Sequence, residues 1–266
     1  MSLIEGDKFL IYLVEKNTME TKIKNLFIEK WRKYFNDYEL PVTFWYSNEF
    51  DNAEKVPASD KWKCMICELS KVRKGRSLAF GSDAITCGGA QRYLGFTNTM
   101  MPEFKYFLSC GIKGIMKGER YIRTPEMVNE LMKNQKKFPL PGKNIVFKRW
   151  DMLVESDDPA VVIFFATPDV LSGLFTLANF DQSEPNSTFT PFGAGCGSVI
   201  HYPYLEKDNE RPRAVIGMFD PSARPCVSAE ELTFAVPMVK FLKMISYMDE
   251  SFLITDSWKK VQKRIK

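Results

Sequence analysis

Seven consecutive apolar residues, Ala160-Val161-Val162-Ile163-Phe164-Phe165-Ala166, constrain the fold of this chain more than any other feature. The run is short and rich in β-branched and aromatic side chains, which favours a strand. No polar residue interrupts it, so both faces of that strand must be covered. A sheet covered on both sides needs helices on each. Pro168-Asp169 follows at once and opens a helix to about Asn179, with Pro at a position where its missing N–H costs nothing.

The rest of the chain supplies the other parts of such a fold. Residues 7–35 carry apolar side chains at helical spacing. Pro41 to Tyr46, Asn144 to Trp150 and Ala214 to Phe219 are strand-like, as is the short Ser77 to Phe80. Ser59 or Asp60 is read as the cap of a helix to about Lys74, with Gly75 at its C-terminal left-handed position. On that helix Trp62, Met65, Ile66, Leu69 and Val72 make the apolar face. Tyr106 to Leu108 is read as a strand, Thr124-Pro125-Glu126 as a helix start, and Ser228-Ala229-Glu230-Glu231 as a capping box for a helix to about Met248. The predicted class is α/β (or α+β): a mixed sheet with flanking helices.

Element order and two residue patterns recur. Cys87-Gly88 matches Cys196-Gly197, and Arg120-x-x-x-Thr124-x-Glu126 matches Arg224-x-x-x-Ser228-x-Glu230. Agreement across levels predicts two pseudo-equivalent halves from internal duplication. The expected organisation is an N-terminal helix (1–36), a first half (37–140), a second half (141–248) that begins after the Pro139–Gly142 breaker cluster, and a C-terminal basic helix (249–266). The two halves form one globular domain.

Composition excludes several function classes. A net charge of +4 spread along the chain lacks the concentrated basic stripe of a nucleic-acid binder. No apolar stretch reaches the ~18 residues of a membrane span, and MSLIEGDKFL is not a signal peptide. A cytoplasmic location is expected, with six cysteines present as free thiols or metal ligands. Phosphate-loop, dinucleotide and hydrolase-elbow motifs do not occur.

Cysteine is the residue that carries chemistry. Cys87 with Gly88 and Gly89, and Cys196 between Gly195 and Gly197, both sit in glycine-rich turns before a helical stretch. A helix N-terminus lowers a thiol's pKa and glycine admits a ligand close to the backbone, so the two can be activated thiolates or ligands facing one site. They can equally be small buried residues in tight turns. Cys64 and Cys67 form a C-x-x-C opposite the apolar stripe of their helix, but no second C-x-x-C or His pair completes a zinc motif. An iron–sulfur or other thiolate-bound cofactor would use Cys67, Cys87 and Cys196 with one further ligand. These three are expected to converge on a pocket between the halves. Cys110 and Cys226 are read as structural. The single histidine, His201, is near enough to Cys196 in sequence to pair with it. Arg120 and Arg224 precede the matched caps and suit capture of a carboxylate or phosphate.

Cys67 with Gly75, then Cys87-Gly88-Gly89-Ala90 to Leu94-Gly95, Thr124-Pro125-Glu126, the apolar strand with Pro168, Gly193 to Cys196, and Glu231-Leu232 to Pro237 together resemble the prokaryotic domain-of-unknown-function family 169. The resemblance spans about residues 38–248. It implies a prokaryotic, cytoplasmic protein and transfers no catalytic residue. The residues therefore leave two functions open. One is binding of an anionic small molecule or cofactor at the paired Gly-Cys turns. The other is a thiol-dependent enzyme, redox protein or metal-binding protein using the same cysteines.

Overall fold

The apolar run forms a strand at the middle of an eight-stranded mixed sheet. The computed structural model describes residues 21–136 and 140–266. In chain order the strands of the large sheet are β1 (Val42–Ser47), β2 (Glu54–Lys55), β3 (Leu78–Gly81), β6 (Asn144–Arg149), β7 (Val161–Ala166), β8 (Thr188–Phe189), β9 (Ala214–Gly217) and β10 (Leu232–Pro237). A separate two-stranded hairpin pairs β4 (Gly111–Ile112) with β5 (Met116–Lys117). The large sheet is ordered β2-β3-β6-β1-β7-β10-β9-β8.

All six residues of β7 are buried, as the unbroken run requires. Alternate side chains enter two cores. Val162, Phe164 and Ala166 pack into one, while Val161, Ile163 and Phe165 pack into the other. The first core is closed by α1 (Thr21–Phe35), α6 (Pro168–Ala178), α8 (Met238–Tyr247) and α9 (Asp256–Gln262), through residues such as Phe27, Trp31, Leu174, Phe241 and Trp258. The second is closed by α2 (Met65–Arg73), α3 (Gly88–Tyr93) and a π-helix (Gly197–His201) running into α7 (Tyr202–Glu206). Each large side chain fully buried this way contributes about 1.5–3 kcal/mol. Beyond β3, α4 (Phe104–Leu108), the β4–β5 hairpin and α5 (Pro125–Asn134) form an excursion from the sheet. Among the described residues, no helix is long and apolar enough to cross a membrane.

Read outward from the antiparallel β1–β7 pair, each side has the same order. On one side it is β1-β6-β3-β2 and on the other β7-β10-β9-β8, and each side ends in a parallel pair. β6, which the sequence reading put in the second half, pairs with β1 and β3. The cysteine turns do not occupy matching places in this order. Cys87 follows β3, the third strand of its side, whereas Cys196 precedes β9, the third strand of the other. The short identity between the two turns therefore does not mark equivalent positions.

Other local expectations are corrected. The Ser228–Glu231 pattern is present, with Glu231 accepting from the Ser228 N–H. It feeds β10 rather than a helix, because Leu232-Thr233-Phe234-Ala235-Val236 is β-branched and aromatic and pairs with β7 on one edge and β9 on the other. Tyr106 to Leu108 lies in α4, not in a strand. The helix read from about residue 60 begins at Met65, leaving Trp62 outside it and 69% exposed. Thr124 does cap α5, accepting from the Met127 N–H with Pro125 at the first position. Gly75 does take the left-handed conformation, φ +93°. Of the N-terminal helix read over 7–35, residues 7–20 lie outside the described residues. At the other end, α9 ends at Gln262, after a 3₁₀ turn at Phe252–Ile254.

Candidate functional site: a convergence of cysteines

The helices on one face of the sheet each start at a cysteine. Cys64 is the N-cap residue of α2, Cys87 of α3 and Cys196 of the π-helix, and none of the three uses its side chain to cap the backbone. In α2, Met65, Ile66, Leu69 and Val72 are buried against the sheet. That orientation leaves Cys64 half-buried and Cys67 on the outer side.

Cys67 is joined in a disulfide to Cys226, the last residue of a 3₁₀ turn at Arg224–Cys226. Their Cα atoms are 4.6 Å apart across 159 residues of sequence, within the range a disulfide spans without moving the backbone. The sulfurs of Cys64, Cys67 and Cys226 all lie within 4.8 Å of one another. The expectation of free thiols is thus corrected for this pair, and Cys226 is part of the site rather than apart from it.

Cys196 lies near this group. It is buried, and burial pushes its thiol well above the usual range, reinforced by neighbouring Cys64, Cys87 and the Asp220 carboxylate. The activated thiolate expected at Cys196 is therefore overturned: desolvation outweighs whatever the helix start contributes. Three sulfurs from two segments of chain therefore cluster, and Cys196 and Cys87 lie nearby but outside that 4.8 Å group. Cys110 is exposed and donates to the carbonyl of Gly111.

Close backbone approach makes the convergence possible. A Cβ on Gly195 would sit 2.8 Å from Ala223 Cβ and 3.4 Å from Ile66 Cγ1, so glycine lets the Cys196 turn touch both α2 and the segment leading to Cys226. A Cβ on Gly197 would come within 3.0 Å of the Tyr93 ring, which belongs to the helix that Cys87 opens. Asp220 fastens the turn by accepting from the N–H of Gly195, at 2.9 Å, and from both the N–H and hydroxyl of Ser222. Gly88 and Gly89 play a different part. A Cβ on Gly88 would meet nothing within 4 Å, and one on Gly89 only the Cys87 sulfur.

Those two glycines and Cys87 form part of the wall of a cavity of about 1000 Å³. Its other walls come from the excursion after β3 and from the segments flanking Gly193 and Asp220. Trp62 also lines it, and most of the lining is apolar.

The remaining residues singled out in the sequence lie outside the cysteine group. Arg224 donates to the carbonyls of Ser228 and Ala229, and Arg120 sits exposed in a turn at φ +58°; neither lines the cavity. His201 is buried, with its ring nitrogens 3.1 and 2.9 Å from the carbonyls of Tyr93 and Lys136. Burial holds its pKa below the usual value, outweighing the carbonyls, which favour the charged ring. It ties the π-helix to α3 rather than pairing with Cys196. Sequence reasoning missed Cys64, Cys226 and Asp220 as members of the site. The C-x-x-C spacing was a signal for Cys64. Cys226 and Asp220 carry no local signal, because only the fold brings them in.

A family model described as "Uncharacterised ArCR", domain of unknown function 169, matches residues 36–247. No curated protein and no solved structure matches the chain.

Proposed function

This chain belongs to the domain-of-unknown-function family 169, and we propose that it binds a thiolate-ligated metal cofactor, a single soft ion or an iron–sulfur cluster, at the convergence of cysteines. The observation that carries this reading is the clustering of the Cys64, Cys67 and Cys226 sulfurs within 4.8 Å of one another. Tetrahedral zinc with Zn–S bonds of ~2.3 Å separates its sulfurs by about 3.8 Å. The 4.8 Å envelope of Cys64, Cys67 and Cys226 is close to that spacing. A fourth ligand would have to come from Cys196, whose thiol feels Cys64 and Cys87 electrostatically, and an all-thiolate set would suit zinc or iron–sulfur chemistry.

Loading requires reduction of the Cys67–Cys226 bond. Two electrons and two protons from an external dithiol convert the disulfide to two thiols, with the dithiol leaving as its own disulfide. Bound metal would hold Cys64, Cys67 and Cys226 as thiolates, their protons going to solvent, and it would offset the burial that raises the Cys196 thiol. A reducing compartment maintains the loadable form. Binding of an anionic small molecule is the competing reading of the same turns. It draws less support, since Arg224 donates to backbone carbonyls and neither Arg120 nor Arg224 lines the cavity.

The Cys67–Cys226 bond itself favours a second reading, thiol–disulfide exchange with Cys64 as the neighbouring thiol. Purification without oxygen, followed by metal, iron and acid-labile sulfide analysis, separates the two. The cofactor reading expects stoichiometric metal that is lost in C67S, C226S and C64S and kept in C110S. Metal-free reduced protein that takes up neither zinc nor iron, while its disulfide cycles with a dithiol, overturns it in favour of exchange.

A further inference from the structure

The cavity beside Cys87 has an occupant of definable chemistry. Its volume, about 1000 Å³, is at the upper end of small-molecule sites and far larger than a metal ion needs. Phe104, Phe107, Leu131 and Met101 line it from one side, and Phe192 and Phe219 from the other. Phe192 and Phe219 are 56% and 57% exposed, although both cores of the molecule close over their own phenylalanines. Large apolar side chains left open around one concavity mark a binding surface.

The charges of the lining choose between ligand classes. The ionised groups are two carboxylates, Glu119 and Asp220, and one guanidinium, Arg92. Arg92 is engaged by the Asn98 carbonyl and the Gln135 side chain. Asp220 already accepts from Gly195 and Ser222. Among the described residues, an anionic ligand would therefore meet net negative charge and no uncommitted cation in the lining, and a buried unpaired charge is costly. The Thr97, Thr99 and Thr190 hydroxyls instead offer neutral polar contacts, Thr97 and Thr99 being bonded to each other. We propose that this cavity binds a neutral, largely apolar organic molecule, one end of which lies against Cys87, Gly88 and Gly89. The inference goes beyond the metal reading and does not need it, because the cavity is lined by Cys87 alone among the cysteines.

The test uses the full chain in its metal-free, reduced form. Nile red serves as the neutral fluorescent probe, and dodecanol, dodecanoate and dodecylammonium compete for it. Saturable probe binding is expected, with dodecanol the best of the three competitors. F192D and F219D place a charge in the lining from exposed positions and should each weaken binding about tenfold or more. Dodecanol should also slow alkylation of Cys87 while leaving Cys110 unchanged. Dodecanoate displacing the probe best, binding unaffected by both substitutions, or Cys87 unprotected at saturation would each overturn the proposal. None of these readouts depends on metal, so failure here leaves the cofactor reading standing, and failure there leaves this one standing.

Discussion

Two glycines in the cysteine turns look alike in sequence and have opposite surroundings. A Cβ at position 195 would collide with Ala223, whereas a Cβ at 88 would enter open space. Gly195→Ala should therefore cost about 1–3 kcal/mol, as overpacking does, and separate Cys196 from its neighbours. Gly88→Ala should leave stability nearly unchanged. Chemical denaturation of both variants checks this, and equal losses would refute the assignment. The thiols differ in the same way. Cys196 is buried with its thiol raised above the usual range, while Cys110 is exposed. At neutral pH in metal-free protein, Cys110 should alkylate much faster than Cys196, and the Cys196 rate should keep rising as pH passes the ordinary thiol range. The sequence suggested activation at Cys196 because it showed the helix start; it could not show the burial that reverses the sign.

At the level of elements, legibility followed how much of an element's pattern is local. β7, the α5 cap and the start of α6 were readable because a run of side chains, a Thr-Pro pair and a Thr-Pro-Asp turn state them outright. β10 was read as helix because its capping-box signal is local, while its pairing with β7 and β9 is not. Trp62 was assigned to the core by extending a helical stripe past the true helix start. A buried ion pair shows the same limit. Lys148 on β6 donates to both oxygens of Asp157, at 2.8 and 2.9 Å, with both side chains almost wholly buried. Asp157 also accepts from the N–H of Val154, so it holds the β6–β7 connection against the sheet. Asp157→Ala should destabilise the protein by about 3–5 kcal/mol by leaving the lysine unpaired. Thermal and urea unfolding measure it, and a loss under 1 kcal/mol would show that water reaches Lys148 in the folded state.

At the scale of the whole molecule, the sheet is the device that assembles the site. Its mirrored strand order brings α2 and the π-helix to one face, and Arg73 at the end of α2 bridges Glu39 and Glu231 across that face. Partners as far apart in sequence as Cys67 and Cys226 meet only through this arrangement. The sequence thus disclosed which cysteines lie in unusual turns, and withheld which of them touch. Repeating glycine-cysteine turns suggested a Cys87–Cys196 pairing of equivalent positions. The topology instead gathers Cys64, Cys67 and Cys226 in one place, with Cys196 buried nearby. X-ray absorption at the metal edge of anaerobically loaded protein tests this account most directly. Zinc-loaded protein should show about four sulfur ligands at ~2.3 Å, and iron-loaded protein should show iron surrounded by sulfur alone. A shell dominated by nitrogen or oxygen, or an unchanged sulfur count in C64S, C67S and C226S, would contradict it.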